Sequence, residues 1–201
     1  MPDHRFGVIG TAGRGDDRYK LDGDVFDLMV RASMHLARKL NVSHGVSGGA
    51  AYADHCLVKI GLSWIIPPQH ITLYLPAEID VRQKTYVDTG FKSPGSIANY
   101  YMRLFYEATG CRGVSEILDL HALGAKLVVD NNGFKSRNTS VAKFLTPPET
   151  STLLAWTFGS KNIGKITEYP PNTSAADAGL KEGGTADTWN KACCHKFHAC
   201  L

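Results

Sequence analysis

Four glycine-containing turns are the residues of this sequence best suited to chemistry, because each stands at the expected junction of a strand and a helix. Glycine lets backbone N–H groups approach an anion closely, and a helix N-terminus adds unpaired donors and a partial positive charge. Together the turns predict phosphate binding, although each one alone also fits a tight connection. They are Gly10-Thr-Ala-Gly-Arg14, Ser47-Gly-Gly49, Asn132-Gly-Phe-Lys-Ser-Arg-Asn138 and Gly183-Gly-Thr185.

Charged side chains beside these turns extend the predicted site. Arg14 and Arg137 carry guanidinium forks that suit a phosphate or a carboxylate. Asp54 and Asp187 lie near the starts of two predicted helices, where a carboxylate can bind ribose hydroxyls or stabilise the helix dipole. The predicted ligand-binding residues are Gly10, Thr11, Ala12, Gly13, Arg14, Ser47, Gly48, Gly49, Asp54, Lys135, Ser136, Arg137, Asn138, Gly183, Gly184, Thr185 and Asp187.

Catalysis has three acidic candidates, which are Asp54, Asp187 and Glu182. An acid beside the anomeric carbon of a nucleotide could stabilise an oxocarbenium-like centre or activate water, as in glycosidases. Binding alone needs only the glycine turns and the two arginines. The residues therefore leave open whether the ligand is bound or cleaved.

Several other chemistries lack their motifs. The GxGxxG dinucleotide fingerprint, the GxxxxGK[ST] phosphate loop and the GxSxG nucleophile elbow are all absent. The segment Cys193–Cys200 holds five soft-metal ligands within eight residues, but no separated second pair completes a zinc site. We therefore expect neither a metal nor a cofactor, and ordinary buried thiols in this segment.

Composition favours one globular domain spanning 1–201. Hydrophobic residues make up 43% and charged residues 20%, without an apolar run long enough to span a membrane. The net charge of +3 comes from 22 basic and 19 acidic side chains with no run of like charges, which does not favour a nucleic-acid partner. Five cysteines in no disulfide-like pattern and the lack of an export signal predict a cytoplasmic protein.

Hydrophobic patterning predicts alternating strands and helices, with loop insertions at about 78–100 and 160–182. The first insertion is a candidate lid. Such alternation indicates an α/β, Rossmann-like three-layer sandwich with a mostly parallel sheet and a ligand near its topological switch point. The predicted strands are Arg5–Gly10, a short strand that leads into the glycine turn within His44–Gly49, Ile71–Pro76, Ala125–Asp130, Thr152–Gly159 and, at the sheet edge, Phe197–Leu201. The predicted helices are Asp24–Leu40, Ala50–Gly61, Ser96–Ala108, Ser115–Leu123, Ser136–Phe144 and Gly183–Ala192.

These motifs resemble those of the SLOG superfamily, which joins LOG-type phosphoribohydrolases, Smf-type DNA-processing proteins and small nucleotide-sensing domains. The YspA-like branch is the most similar: its first strand leads into Thr-Gly-Ser-Arg, where this chain has Gly10-Thr-Ala-Gly-Arg14. Its Gly-Gly-Ala-x-Gly-Ala-Asp is similar to Gly48-Gly-Ala-Ala-Tyr-Ala-Asp54. An Arg-Asn pair and a Gly-Thr-Ala-Asp follow in the same order, at Arg137-Asn138 and Gly184-Thr-Ala-Asp187.

The resemblance implies a Rossmann-like sheet that binds a nucleotide or a nucleotide-derived ligand, such as a cyclic nucleotide or an ADP-ribose derivative, in a homo-oligomer. LOG enzymes cleave an N-glycosidic bond and carry Pro-Gly-Gly-x-Gly-Thr-x-x-Glu, whereas this chain has no proline before Gly183 and has Thr188 in place of the glutamate. We therefore predict a protein that senses or sequesters the ligand, with phosphoribohydrolase-like cleavage as the alternative.

Overall fold

The computed structural model describes residues 3–129 and 134–201. Within them the strands are β1 (Arg5–Gly10), β2 (His44–Ser47), β3 (Ile71–Leu75), β4 (Ile79–Asp80), β5 (Thr85–Tyr86), β6 (Lys126–Val129), β7 (Ser151–Thr157), β8 (Ile166–Tyr169) and β9 (His195–Cys200). The α-helices are α1 (Gly23–Lys39), α2 (His55–Leu62), α3 (Pro94–Thr109), α4 (Gly113–Ala122), α5 (Phe134–Phe144) and α6 (Gly184–Lys191).

Seven strands form one sheet in the order β6-β3-β2-β1-β7-β9-β8. All neighbours are parallel except β8, which pairs antiparallel with β9. The chain moves outward from β1 through β2 and β3 to β6, then crosses to the other side of β1 to form β7. The topological switch point therefore lies between β1 and β7, which is where such sheets bind ligands.

Helices cover both faces of this sheet, and β7 shows how the two cores divide. Leu154 and Trp156 of β7 join a core with α1, α2, α3 and α4, whereas Leu153 and Ala155 join a core with α5 and α6. Because successive strand residues point to opposite faces, an unbroken apolar run is needed when both faces are covered. The predicted Rossmann-like three-layer α/β sandwich is confirmed.

The carboxyl-terminal region differs from the prediction in two ways. β9 lies between β7 and β8 and is not an edge strand. The edge strand is β8, which arises within the segment 160–182 that the patterning assigned to a loop. β8 is only four residues long and partly exposed, so its hydrophobic signal is weak. Cys194 and Cys200 are buried as expected, but Cys193 is exposed.

The segment 78–100 also has its own structure. It contains the antiparallel hairpin of β4 and β5 and the first turns of α3. Tyr86 of β5 is fully buried, and its hydroxyl donates to the Gly49 carbonyl at 3.0 Å. Asn99 of α3 bonds both the N–H and the carbonyl of Tyr86, each at 2.8 Å. The candidate lid is thus a packed hairpin that supports the turn after β2.

None of the helices within the described ranges is long and apolar enough to cross a membrane.

An ionic cluster joins α2 to α4 and leads to the first testable prediction. Glu116 accepts hydrogen bonds from His55 Nε2 and Lys59 Nζ, both at 2.7 Å. Burial raises the pKa of Glu116, but these bonds outweigh it and lower the pKa to about 2. We expect Glu116→Gln to reduce the free energy of unfolding at pH 7 by about 2 kcal/mol, because two charge-assisted bonds are weakened.

The pH dependence of that loss follows from the direction of the shift. A carboxylate with a lowered pKa stabilises the fold above its ordinary value near 4.5, and this stabilisation disappears as the pH falls towards 2. Urea unfolding at several pH values should therefore show wild type and Glu116→Gln converging below about pH 4.5. Glu107→Gln, which breaks an exposed pair with Arg103, is the control and should change stability by at most about 0.5 kcal/mol. A pH-independent difference for Glu116→Gln would contradict the assignment.

Candidate ligand-binding site

A cleft of about 550 Å³ opens at the carboxyl ends of β1, β2 and β7. Its volume lies within the range of roughly 300 to 1,000 Å³ that is usual for small-molecule sites. The cleft is lined by the turns after β1 and β2, one side of α3, and the first residues of α5 and α6. It therefore occupies the switch point at which the topology predicts a ligand.

The turn after β1 brings backbone to the floor of the cleft. Gly10 has φ +153°, and a Cβ there would lie 2.1 Å from the Trp156 carbonyl oxygen, so only glycine fits. The Thr11 N–H donates to that same carbonyl at 2.8 Å. The Thr11 hydroxyl donates to Asp17 Oδ2 at 3.1 Å and accepts from the Gly13 N–H at 3.2 Å. These bonds fix the shape of the turn.

The turn after β2 is packed just as closely. A side chain at Gly48 would displace Asp54 or Arg137, because a Cβ would lie 2.6 Å from Asp54 Oδ2 and 2.9 Å from Arg137 Cζ. Ser47 is buried behind the turn, and its hydroxyl donates to the Asp54 carbonyl at 3.1 Å. Gly49 is held from the hairpin by Tyr86. The turn is therefore fixed from three sides.

Two arginines converge on one aromatic ring at the cleft. The guanidinium carbons of Arg14 and Arg137 lie 5.4 Å and 5.2 Å from the centre of the Phe134 ring, and Arg14 also lies 5.5 Å from that of Tyr101. Cation–π contacts of this kind hold a guanidinium in place without neutralising it. Among the described residues, no acidic side chain forms an ion pair with either arginine. Both guanidinium groups therefore keep donors that are not used in an ion pair with an acid among these residues.

Arg137 uses only some of its N–H donors in hydrogen bonds. Its Nη1 donates to the Gly48 carbonyl at 3.1 Å. Its Nε is buried and has no hydrogen-bond partner in the part of the chain that the structure describes. A buried donor without a partner costs about 1 to 3 kcal/mol, so an acceptor from a ligand would recover that energy.

The three acidic candidates have different surroundings. Asp54 is 5% exposed, and its Oδ2 accepts from the Ala50 N–H at 3.2 Å. Burial raises the pKa of Asp54, and the nearby Arg137 charge only partly opposes this. Glu182 is exposed at the rim of the cleft. Asp54 is thus the acid that its surroundings most favour in the neutral form.

Asp187 belongs to a contact between α5 and α6. Its Oδ2 accepts from Lys191 Nζ at 2.8 Å and from Asn138 Nδ2 at 3.2 Å. Partial burial raises the pKa of Asp187, but these bonds outweigh it and the net shift is downward. Asn138 also donates to the Gly184 carbonyl at 3.1 Å. Asp187 and Asn138 therefore hold the two helix N-termini together beside the cleft.

Most of the predicted ligand-binding residues line this cleft. Gly13, Ser47 and Ser136 do not: Gly13 and Ser47 support the turns from behind, and Ser136 is a half-buried residue of α5. Asn132 and Gly133 of the third glycine turn, and Asp130 of the predicted strand before it, lie outside the described residues. Those that line it are Gly10, Thr11, Ala12, Arg14, Gly48, Gly49, Asp54, Lys135, Arg137, Asn138, Gly183, Gly184, Thr185 and Asp187, together with the catalytic candidate Glu182.

Other residues of the cleft were missed from the sequence. The largest group is an apolar wall on α3, whose residues occupy helical positions that read simply as a core face. Phe134 lies within a glycine turn and Thr157 within a predicted strand, so neither residue stands out in the sequence. The missed lining residues include Ile97, Ala98, Tyr101, Met102, Phe134, Thr157, Lys181 and Thr188. No signal in a single sequence distinguishes an apolar wall from a buried core.

Comparison with known proteins supplies one relative. Over 195 residues the chain is 31% identical to uncharacterized protein R261 of Acanthamoeba polyphaga mimivirus, an alignment covering 93% of this chain and 90% of that protein. The chain belongs to the R261 family. No protein-family model matches the chain. No solved structure matches it either.

Within residues 3–129 and 134–201, no group of three or more His, Cys, Asp or Glu side chains is arranged to hold a metal ion.

Proposed function

We propose that this protein binds a nucleotide or nucleotide-derived ligand, such as a cyclic nucleotide or an ADP-ribose derivative, and senses or sequesters it. The observation that carries the proposal is the pair of guanidinium groups, Arg14 and Arg137, placed over Phe134 in a cleft at the switch point. Arginine forks suit phosphate oxygens, and neither fork forms an ion pair with an acid among the described residues.

The rest of the cleft fits the remainder of such a ligand. The N-terminus of α6, at Gly183 and Gly184, lines the same space and adds backbone donors. Ile97, Tyr101 and Met102 of α3 supply an apolar wall of the kind that a base or sugar packs against. The resemblance to the SLOG superfamily points to the same class of ligand.

Cleavage of an N-glycosidic bond is the second candidate function. Its support is Asp54, a buried cleft residue whose raised pKa favours the protonated form that a general acid needs. Against it, Asp54 already accepts a bond that shapes the turn after β2, and Asp187 is held by Lys191 and Asn138. These engagements favour binding over hydrolysis.

A ligand panel separates the two candidates. Purified protein would be incubated with AMP, ADP, cyclic AMP, a cyclic dinucleotide and ADP-ribose, with adenosine as the phosphate-free control. We expect at least one phosphorylated ligand to raise the melting temperature with increasing concentration, and mass spectrometry to recover it unaltered. Release of a free base would instead establish cleavage. If no phosphorylated ligand stabilises the protein more than adenosine does, the proposed function is wrong.

We further propose a cytoplasmic homo-oligomer. All five cysteines are free thiols, which suits a reducing compartment. Light scattering on the purified protein measures the oligomeric state.

A further inference from the structure

A buried histidine behind the cleft links the sheet to the cleft lining. His198 of β9 is 1% exposed and lies between Thr157, the last residue of β7, and the Ala178 carbonyl. Its Nε2 is 2.7 Å from Thr157 Oγ1, and its Nδ1 is 3.0 Å from the Ala178 oxygen. The proposed function uses neither His198 nor Thr157.

The partners of this histidine determine which atoms donate. A carbonyl oxygen can only accept, so Nδ1 of His198 must carry a proton. Burial lowers the pKa of His198, an effect that the Ala178 bond only partly opposes, so the ring is neutral at pH 7. Nε2 therefore has a lone pair and accepts. The Thr157 hydroxyl must then donate its hydrogen to Nε2.

Because its one hydrogen is donated to His198, the Thr157 hydroxyl can only accept further hydrogen bonds. Thr157 lines the cleft, on the face of β7 opposite Trp156, whose indole N–H bonds to Ser33 of α1. The hydroxyl therefore faces the side of the sheet that α6 covers. Any group that meets this oxygen from the cleft has to be a hydrogen-bond donor.

We propose that Thr157 determines specificity by accepting a hydrogen bond from a donor group of the ligand, with His198 as the residue that positions its hydroxyl. This inference rests on the proposed function. The donor is a sugar hydroxyl or an N–H of the base, because both occur in nucleotides and have the same hydrogen-bonding chemistry. A ligand with an ether or a methylated nitrogen at that point would leave Thr157 unpaired.

Calorimetry with matched analogues tests the ligand side of the proposal. The probes are AMP, 2′-deoxy-AMP, 3′-deoxy-AMP and N6,N6-dimethyl-AMP, each measured against wild type, Thr157→Val and Thr157→Ser. For wild type and Thr157→Ser, we expect one analogue to bind about tenfold more weakly than AMP, as loss of one neutral hydrogen bond implies. For Thr157→Val, AMP and that analogue should bind equally. The analogue concerned identifies the donor.

Thr152→Val is the matched control. Thr152 is also a buried threonine of β7 hydrogen-bonded to a histidine, with its Oγ1 3.0 Å from His4 Nε2, but it lies at the opposite end of the strand. This variant should discriminate among the analogues as wild type does. Thermal unfolding of both valine variants checks that they fold.

Nitrogen-15 NMR of the imidazole rings tests the protein side without any ligand. At pH 7.5, His198 should be a neutral ring protonated at Nδ1, and Thr157→Val should leave that tautomer in place. A ring protonated at Nε2 overturns the inference. It is also overturned if Thr157→Val shows the same differences in affinity between AMP and the analogues as wild type does. Failure of wild type to bind any phosphorylated ligand of the panel counts against the proposed function, while the tautomer still decides whether Thr157 is an acceptor.

Discussion

Replacing Arg137 with alanine is expected to weaken binding of a phosphorylated nucleotide by about 100-fold, since one or two charge-assisted bonds are lost. Arg137 has a free Nε beside the cleft and lies over Phe134 together with Arg14. Binding of the matching nucleoside should change by only a few-fold, because it carries no phosphate. Calorimetry on the nucleotide found in the panel, paired with its nucleoside, measures both effects.

Two further variants make this prediction specific. Arg137→Lys keeps the charge but loses the planar fork, so its affinity should fall between those of wild type and alanine. Arg31 is an exposed arginine of α1 outside the cleft, and Arg31→Ala should bind as wild type does. Because Arg137 also holds the Gly48 carbonyl, the stability of each variant needs measuring beside its affinity. Equal losses for nucleotide and nucleoside would show that Arg137 only supports the turn.

Replacing Gly10 with alanine is expected to reduce the free energy of unfolding by about 3 kcal/mol or more, through backbone strain together with overpacking. The new Cβ would lie 2.1 Å from the Trp156 oxygen and 2.7 Å from the Ala53 Cβ. Neither neighbour can move freely, because the Trp156 carbonyl accepts from the Thr11 N–H and Ala53 is fully buried. Urea unfolding monitored by circular dichroism measures the loss.

A Gly15→Ala variant distinguishes the cost of backbone strain from the cost of steric crowding. It has φ +57°, also in the left-handed region, but a Cβ there would meet nothing within 4 Å. Gly15→Ala should therefore cost only about 1 kcal/mol, the strain of a left-handed alanine. Equal losses at Gly10 and Gly15 would mean that β1 and β7 separate easily at the cleft.

The fold was largely predictable because its signals are local and repeated. β1 and β7 are buried on both faces, so each reads as an unbroken apolar run between turns. α1 has an amphipathic pattern and an Asp22 cap that accepts from the Val25 N–H. The hairpin and β8 were not predictable, because strands of two and four partly exposed residues carry little hydrophobic pattern.

The cleft was predictable where it depends on backbone and not where it depends on tertiary contact. Gly10, Gly48 and Gly49 could be placed at one edge because parallel strands end together. The roles of Arg14 and Arg137 were expected, but their shared contact with Phe134 was not, since the two arginines are far apart in sequence. Likewise, the role proposed for Thr157 depends on its contact with His198, which lies 41 residues further along the chain.

The two ends of the main sheet bear on how copies of this protein could associate. Within the described residues, the edge strands β6 and β8 each span four residues, and each carries an exposed charged side chain, Lys126 and Glu168 respectively. Short, charged edges discourage a second chain from adding its own strand. The proposed homo-oligomer would therefore have to form through helices or loops, and mutations at the sheet edges should not change its subunit number.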